Sequence, residues 1–142
     1  VYGSFSKPLL LATAVALENW TKRAREDFVK LTELNSFIRQ ELVSEIKDIK
    51  IAGDSDNCDP RFLAFVIPHT HSEEVLRKVE AQGLLIDAGS ACGSGPLSPS
   101  HVLTAMGYSE HGNYRITLKP THSREGLKKL VSVLVKGIAA GA

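Results

Sequence analysis

The sequence predicts an α+β (mixed α/β) fold, a small, mainly antiparallel sheet of three or four strands covered by helices. A helix-period pattern fills the first third of the chain. Short β-branched and aromatic runs then alternate with further helical patterns, and a strongly amphipathic segment closes the chain. A length of 142 residues suits one domain with one core, spanning residues 1–142.

The elements follow in order. Pro8 fits the first turn of a helix that begins near Ser6. From Leu9 to Trp20 the segment is rich in Ala and Leu on every face, the pattern of a helix that is buried or lies at an interface. Ala24, Phe28, Leu31, Ile38, Leu42 and Ile46 then fall at helical spacing, so a second amphipathic helix follows, continuous with the first or kinked from it. Gly53 to Pro60 reads as a polar loop, and Phe62 to Ile67 as a strand. Thr70 and Glu73 have capping-box spacing ahead of the stripe Val75, Leu76 and Val79, which Gly83 stops. Leu84–Ile86 reads as a short strand. Ser98 before Pro99 predicts an N-cap, with a short helix from His101 to Met106 ended by Gly107. Tyr114–Leu118 alternates like a strand. Ser123 would cap a last helix whose buried face is Leu127, Leu130, Val131, Leu134 and Ile138.

Bulk chemistry excludes several classes of function. With 17 basic and 16 acidic side chains the formal charge is +1, which gives no footprint for nucleic acid or an anionic membrane. The apolar run Leu9–Leu17 is too short to span a bilayer and lacks the marks of a signal peptide. Two cysteines make no disulfide framework, so a reducing, cytoplasmic setting is expected. Met106 is the sole methionine, so the chain has no initiator and reads as a fragment, a proteolytic product or a domain of a longer protein.

The segment with chemical content is Asp87-Ala-Gly-Ser-Ala-Cys-Gly-Ser-Gly95. Cys92 sits among small residues that add little to a core, and the glycines permit unusual backbone angles. Such a loop is expected to be exposed and mobile, whereas buried structural cysteines usually have apolar neighbours. No Lys or Arg lies between Asp87 and Gly112, so the sequence offers no local cation to activate the thiol. A base must come from elsewhere in the fold or from another domain. On spacing alone, a surface cysteine in a flexible loop fits as well as a nucleophile.

Gly89 to Gly107, GSACGSGPLSPSHVLTAMG, resembles the active-site loop of the cysteine desulfurases, in the long-loop branch of the class V aminotransferase superfamily. HGNYRITL is similar to that family's strand bearing a substrate-binding arginine, and SREGLKKLVSVL resembles its closing helix. The resemblance implies the C-terminal small domain of a fold-type I transferase dependent on pyridoxal phosphate. It implies that Cys92 is the nucleophile, receiving sulfur from L-cysteine as a persulfide and leaving L-alanine. Arg115 would hold the substrate carboxylate; read without the resemblance, it is a solvated charge at a strand end. Gly3 and Ser4 match the family's stretch before the long helix, which makes Ser4 a candidate contact to the cofactor phosphate, although Val1 stands where the family has arginine. The same resemblance implies a homodimer at full length, a sulfur-acceptor protein as partner, and supply of sulfur for iron–sulfur cluster or thio-cofactor assembly.

The family's Schiff-base lysine lies in a Ser-x-His-Lys context that this chain lacks. Lys7, in SFSK, reads as a helix-start charge. The large cofactor-binding domain is therefore expected outside this chain, and the chain alone is expected to be inactive. Related readings are a class V aminotransferase, a selenocysteine lyase, or a non-catalytic dimerisation or sulfur-carrier module. A metal site among Cys58, His69, His71, His101 and Cys92 lacks the usual ligand spacing, so none is expected. Cys58 lies beside Asp56 and Asp59, carboxylates that disfavour a thiolate, and is expected to be a bystander.

Overall fold

The computed structural model describes residues 5–88, 100–108 and 111–139. Four helices and four strands occur among them, in the order α1 (Lys7–Glu45), β1 (Lys50–Ile51), β2 (Phe62–Val66), α2 (Ser72–Glu80), β3 (Asp87–Ala88), α3 (His101–Ala105), β4 (Asn113–Thr117) and α4 (Arg124–Ala139). The strands form one sheet of order β1-β2-β4-β3, with every neighbouring pair antiparallel.

The first helix is a single rod of 39 residues, about 58 Å long. Ser6 precedes it, and Pro8 occupies its first turn. Its two halves have different fates. Leu31, Leu34, Ile38 and Leu42 are spaced by three and four and face the core. In the half before them, Leu9, Leu10, Leu11, Val15, Leu17 and Trp20 are exposed, Trp20 at 59%. The predicted stripe therefore buries only from Leu31 onward: Ala24 and Phe28 belong to the exposed half. The helix ends where Ile46 turns extended and Asp48 takes a left-handed conformation, φ 62°.

Period-two alternation divides the sheet into two faces. Leu63, Phe65, Tyr114 and Ile116 point to the helices, and Phe65 and Tyr114, cross-strand partners, stack with centroids 5.4 Å apart. They join Leu127, Leu130, Val131 and Leu134 of α4, Val75 and Val79 of α2 and the buried face of α1 in one core. The opposite face carries Ala64, Arg115 and Asp87 in one cross-strand row and Phe62 opposite Thr117 in the next. Buried Asn35 ties α1 to the sheet, its amide donating to the carbonyls of Pro60 (2.9 Å) and Phe62 (3.3 Å).

Local signals held in part. Ser123 caps α4, its hydroxyl accepting from Gly126 N at 3.1 Å. Gly83 and Gly107 end α2 and α3 with positive φ. The cap of α3 is Ser100, which accepts from Leu103 N, in place of the expected Ser98. Thr70 does not cap α2, whose N-cap is His71. Its hydroxyl is taken by a tertiary contact, donating to Ile67 O at 2.8 Å and lying 2.9 Å from the Tyr114 hydroxyl. The short strand expected at Leu84–Ile86 is found at Asp87–Ala88, because that pair meets Arg115 and Tyr114 on β4. Strand β1, only two residues long, had no sequence signal.

Burial raises the pKa of Tyr114 above its ordinary value of 10.0. Above pH 10 the unfolded chain releases this proton before the folded one does, so the unfolded state binds fewer protons and stability falls as pH rises. Tyr114→Phe should remove that component. Denaturation midpoints of the two proteins should keep a constant separation below pH 10 and converge above it.

Candidate functional site

Cys92 and Ser4 lie outside the described residues. Arg115 lies within them, at the centre of β4, on the sheet face opposite the core. Its cross-strand partner on β3 is Asp87, and the two side chains pair directly. Oδ2 of Asp87 accepts from Arg115 Nη2 at 2.9 Å and from Nε at 3.2 Å. Both residues are about half exposed.

Beside this pair a cleft of about 560 Å³ opens between residues 83–87, β4 and the start of α4. Arg115, Lys119, His122 and Asp87 line it, with the hydroxyls of Thr117, Thr121 and Ser123. His122 Nδ1 accepts from Lys119 N at 3.3 Å, which turns the loop before α4 back toward the cleft. Two cations against one carboxylate, hydroxyls at the wall and apolar Leu127 and Leu130 behind them suit a small anionic ligand such as an amino acid carboxylate. Sequence reading found Arg115 only through its motif. It took Asp87 as the edge of the cysteine loop and passed over Lys119 and His122, because only the pairing of β3 with β4 brings these groups together.

Position in the chain adds a second relation. Ala88 is the cross-strand partner of Tyr114 and immediately precedes the Gly89–Gly95 segment that contains Cys92. The segment therefore starts two residues after Asp87, the partner of Arg115.

The other candidates are placed elsewhere. Cys58 is half-buried in the loop before β2, with Arg39 Nη2 3.6 Å from its sulfur and Ser55 O at the same distance. Asp59 turns to Arg61 at 2.9 Å, a partnership that holds its carboxyl below the usual range. His69 and His71 line a separate cleft near the end of α4. Among the described residues, no three His, Cys, Asp or Glu side chains stand together as a metal-binding group. No described helix is long and apolar enough to cross a membrane. Lys7 is the exposed first residue of α1, as expected of a helix-start charge.

Pyridoxal phosphate needs an amine for its aldehyde and donors for its phosphate. The described lysines are exposed, except Lys78, whose ammonium donates to Gly137 O at 3.0 Å. Among the described residues, those lining the cleft suit the amino acid carboxylate that such a site must hold.

Known proteins give a consistent comparison. The aminotransferase class-V family model matches residues 11–130. A curated relative, the cysteine desulfurase IscS of Dictyoglomus turgidum, is 31% identical over 112 residues, which cover 77% of this chain and 28% of that protein. The cysteine desulfurase of Rhodobacter capsulatus is 26% identical over 140 residues, covering 96% of this chain and 36% of that protein. This chain thus spans roughly a third of the length of these relatives. A solved NifS-like protein superposes with a TM-score of 0.78 at 18% identity, over 97% of this chain and 35% of that one. The NifS-like protein from Rickettsia africae ESF-5 gives 0.61 at 20% identity, over 84% and 30%. These two likenesses establish the shared fold. The chain belongs to the aminotransferase class-V family.

Proposed function

We propose that this chain, residues 1–142, is the C-terminal small domain of a pyridoxal-phosphate-dependent cysteine desulfurase, in which Arg115 holds the carboxylate of L-cysteine and Cys92 takes its sulfur. The observation that carries the proposal is the placement of an accessible guanidinium in an open cleft, on the strand that pairs with the residues leading into the cysteine segment. A guanidinium binds a carboxylate with two parallel hydrogen bonds, so it fixes orientation as well as charge.

The net reaction balances. L-cysteine and the Cys92 thiol give L-alanine and a persulfide on Cys92. The substrate's carbon–sulfur bond breaks, its electron pair stays with carbon, carbon gains a proton, and a sulfur–sulfur bond forms. Pyridoxal phosphate, bound by the remaining part of such an enzyme, supplies the electron sink that makes the carbon–sulfur bond cleavable. This chain's own groups orient the substrate and accept the sulfur. Ser4 would contact the cofactor phosphate across the subunit interface of a homodimer. The persulfide then passes to an acceptor protein for iron–sulfur cluster or thio-cofactor assembly in the cytoplasm. The exposed apolar half of α1 supports a larger assembly, since so large an apolar surface on a soluble protein marks an interface.

Arg115→Ala in the full-length enzyme should raise KM for L-cysteine about a hundredfold, the loss of a charged bidentate contact. Arg115→Lys should recover only part of it, because an ammonium lacks the planar fork. Steady-state alanine formation reads both. An unchanged KM in Arg115→Ala would remove the basis of the reading.

A further inference from the structure

We infer that Asp87 is a positioning residue for substrate binding: it holds the Arg115 guanidinium by one edge so that the other edge meets the substrate carboxylate. The inference rests on the proposed role of Arg115 and assigns a function to a residue outside the recognised motif.

The geometry carries it. An arginine presents five N–H donors in a rigid plane. Oδ2 of Asp87 accepts from Nε and Nη2, which form one edge of that plane. The Nη1–Nη2 edge is the second fork, and a carboxylate docked there would take a different pair of hydrogens. Arginine has several rotatable bonds and a large rotamer entropy, so a guanidinium fixed before the substrate arrives loses less on binding. The register explains why the pair forms: Asp87 and Arg115 are directly opposite on adjacent antiparallel strands, on the same face of the sheet.

Two alternatives predict different outcomes. A purely structural pair would act through stability, but with side-chain exposures of 53% and 55% solvent screens it and its contribution is small. A purely electrostatic effect has the opposite sign, because a carboxylate near the docking edge repels the substrate, and its removal would lower KM. Positioning alone predicts that losing Asp87 raises KM and that a neutral hydrogen-bond acceptor at the same place restores much of the loss.

The test uses the full-length, cofactor-loaded enzyme. Asp87→Ala should raise KM for L-cysteine roughly tenfold while kcat changes by less than about threefold. Asp87→Asn should return KM most of the way toward the parent value. Calorimetric binding of L-alanine, the desulfurated amino acid, should weaken in parallel. With L-cysteine methyl ester, which lacks the charged carboxylate, the parent and Asp87→Ala enzymes should have the same KM. If Arg115→Ala raises KM for L-cysteine but Asp87→Ala leaves it unchanged or lowers it, the inference fails and the desulfurase reading stands. An equal effect of Asp87→Ala on the ester also overturns it. If Arg115→Ala itself has no effect, both fail.

Discussion

Replacing Cys92 with serine in the full-length enzyme should lower alanine formation from L-cysteine by about a thousandfold or more, the scale of loss when a covalent nucleophile is removed. The hydroxyl is far less acidic and less nucleophilic than the thiol, and it cannot hold sulfur as a persulfide. Covalent geometry bounds where the thiol acts. Ala88 ends β3 and Ser100 caps α3, so Cys92 is four residues from one fixed point and eight from the other. The shorter arm sets the limit, about 14 Å at full extension from Ala88. That radius includes the Arg115 cleft, since Ala88 adjoins Asp87, the partner of Arg115. A transfer of sulfur beyond that radius requires the acceptor to approach the cleft. Mass spectrometry of enzyme incubated with L-cysteine should show a one-sulfur increment on the peptide containing Cys92 and none on the peptide containing Cys58. Cys58→Ser should keep its activity. Full alanine formation by Cys92→Ser would instead favour a lyase chemistry on the same scaffold, in which the sulfur leaves without resting on Cys92.

The elements best legible in the sequence were those whose side chains alternate between core and water over several turns or several residues. The stripe Leu127, Leu130, Val131 and Leu134 announced α4, a run of β-branched and aromatic residues announced β2, and alternation announced β4. Where partners lie far away in the chain, local reading stopped. Leu9–Leu17 is apolar on every face, a pattern that fits burial in the domain or an interface equally, and only the fold shows that this domain leaves it uncovered. Thr70 carried a capping signal but was recruited by Tyr114, 44 residues on. Two serines flank Pro99, and the later one caps α3. The site divided in the same way. A motif names Cys92 and Arg115 as candidates, whereas Asp87, Lys119 and His122 join the cleft around Arg115 only when β3 pairs with β4 and the loop before α4 folds back.

Gly112→Ala should lower stability by about 3–5 kcal/mol and the melting temperature by roughly 10–20 °C. Two costs combine at this position. The backbone has φ +73°, which an L-residue with a β-carbon adopts at about 1–2 kcal/mol. A β-carbon there would also stand 1.9 Å from Ile67 O, 2.8 Å from Ile67 C and 2.9 Å from Thr70 Oγ1. Two of those atoms are backbone, so no rotamer change relieves the overlap. The close approach exists because Gly112 O accepts from Ile67 N at 2.9 Å, which fastens the end of β2 to the start of β4. Gly83 provides the control. Its φ is +72°, nearly the same, but a β-carbon there meets nothing within 4 Å. Gly83→Ala should therefore cost only the conformational term of about 1–2 kcal/mol, and the difference between the two variants measures the steric term alone. Calorimetric melting of both proteins decides it. Equal losses would mean that the backbone at Gly112 relaxes freely, whereas a larger loss at Gly112 means that a rigid junction three residues before Arg115 holds β4, and with it the guanidinium, in register against Asp87.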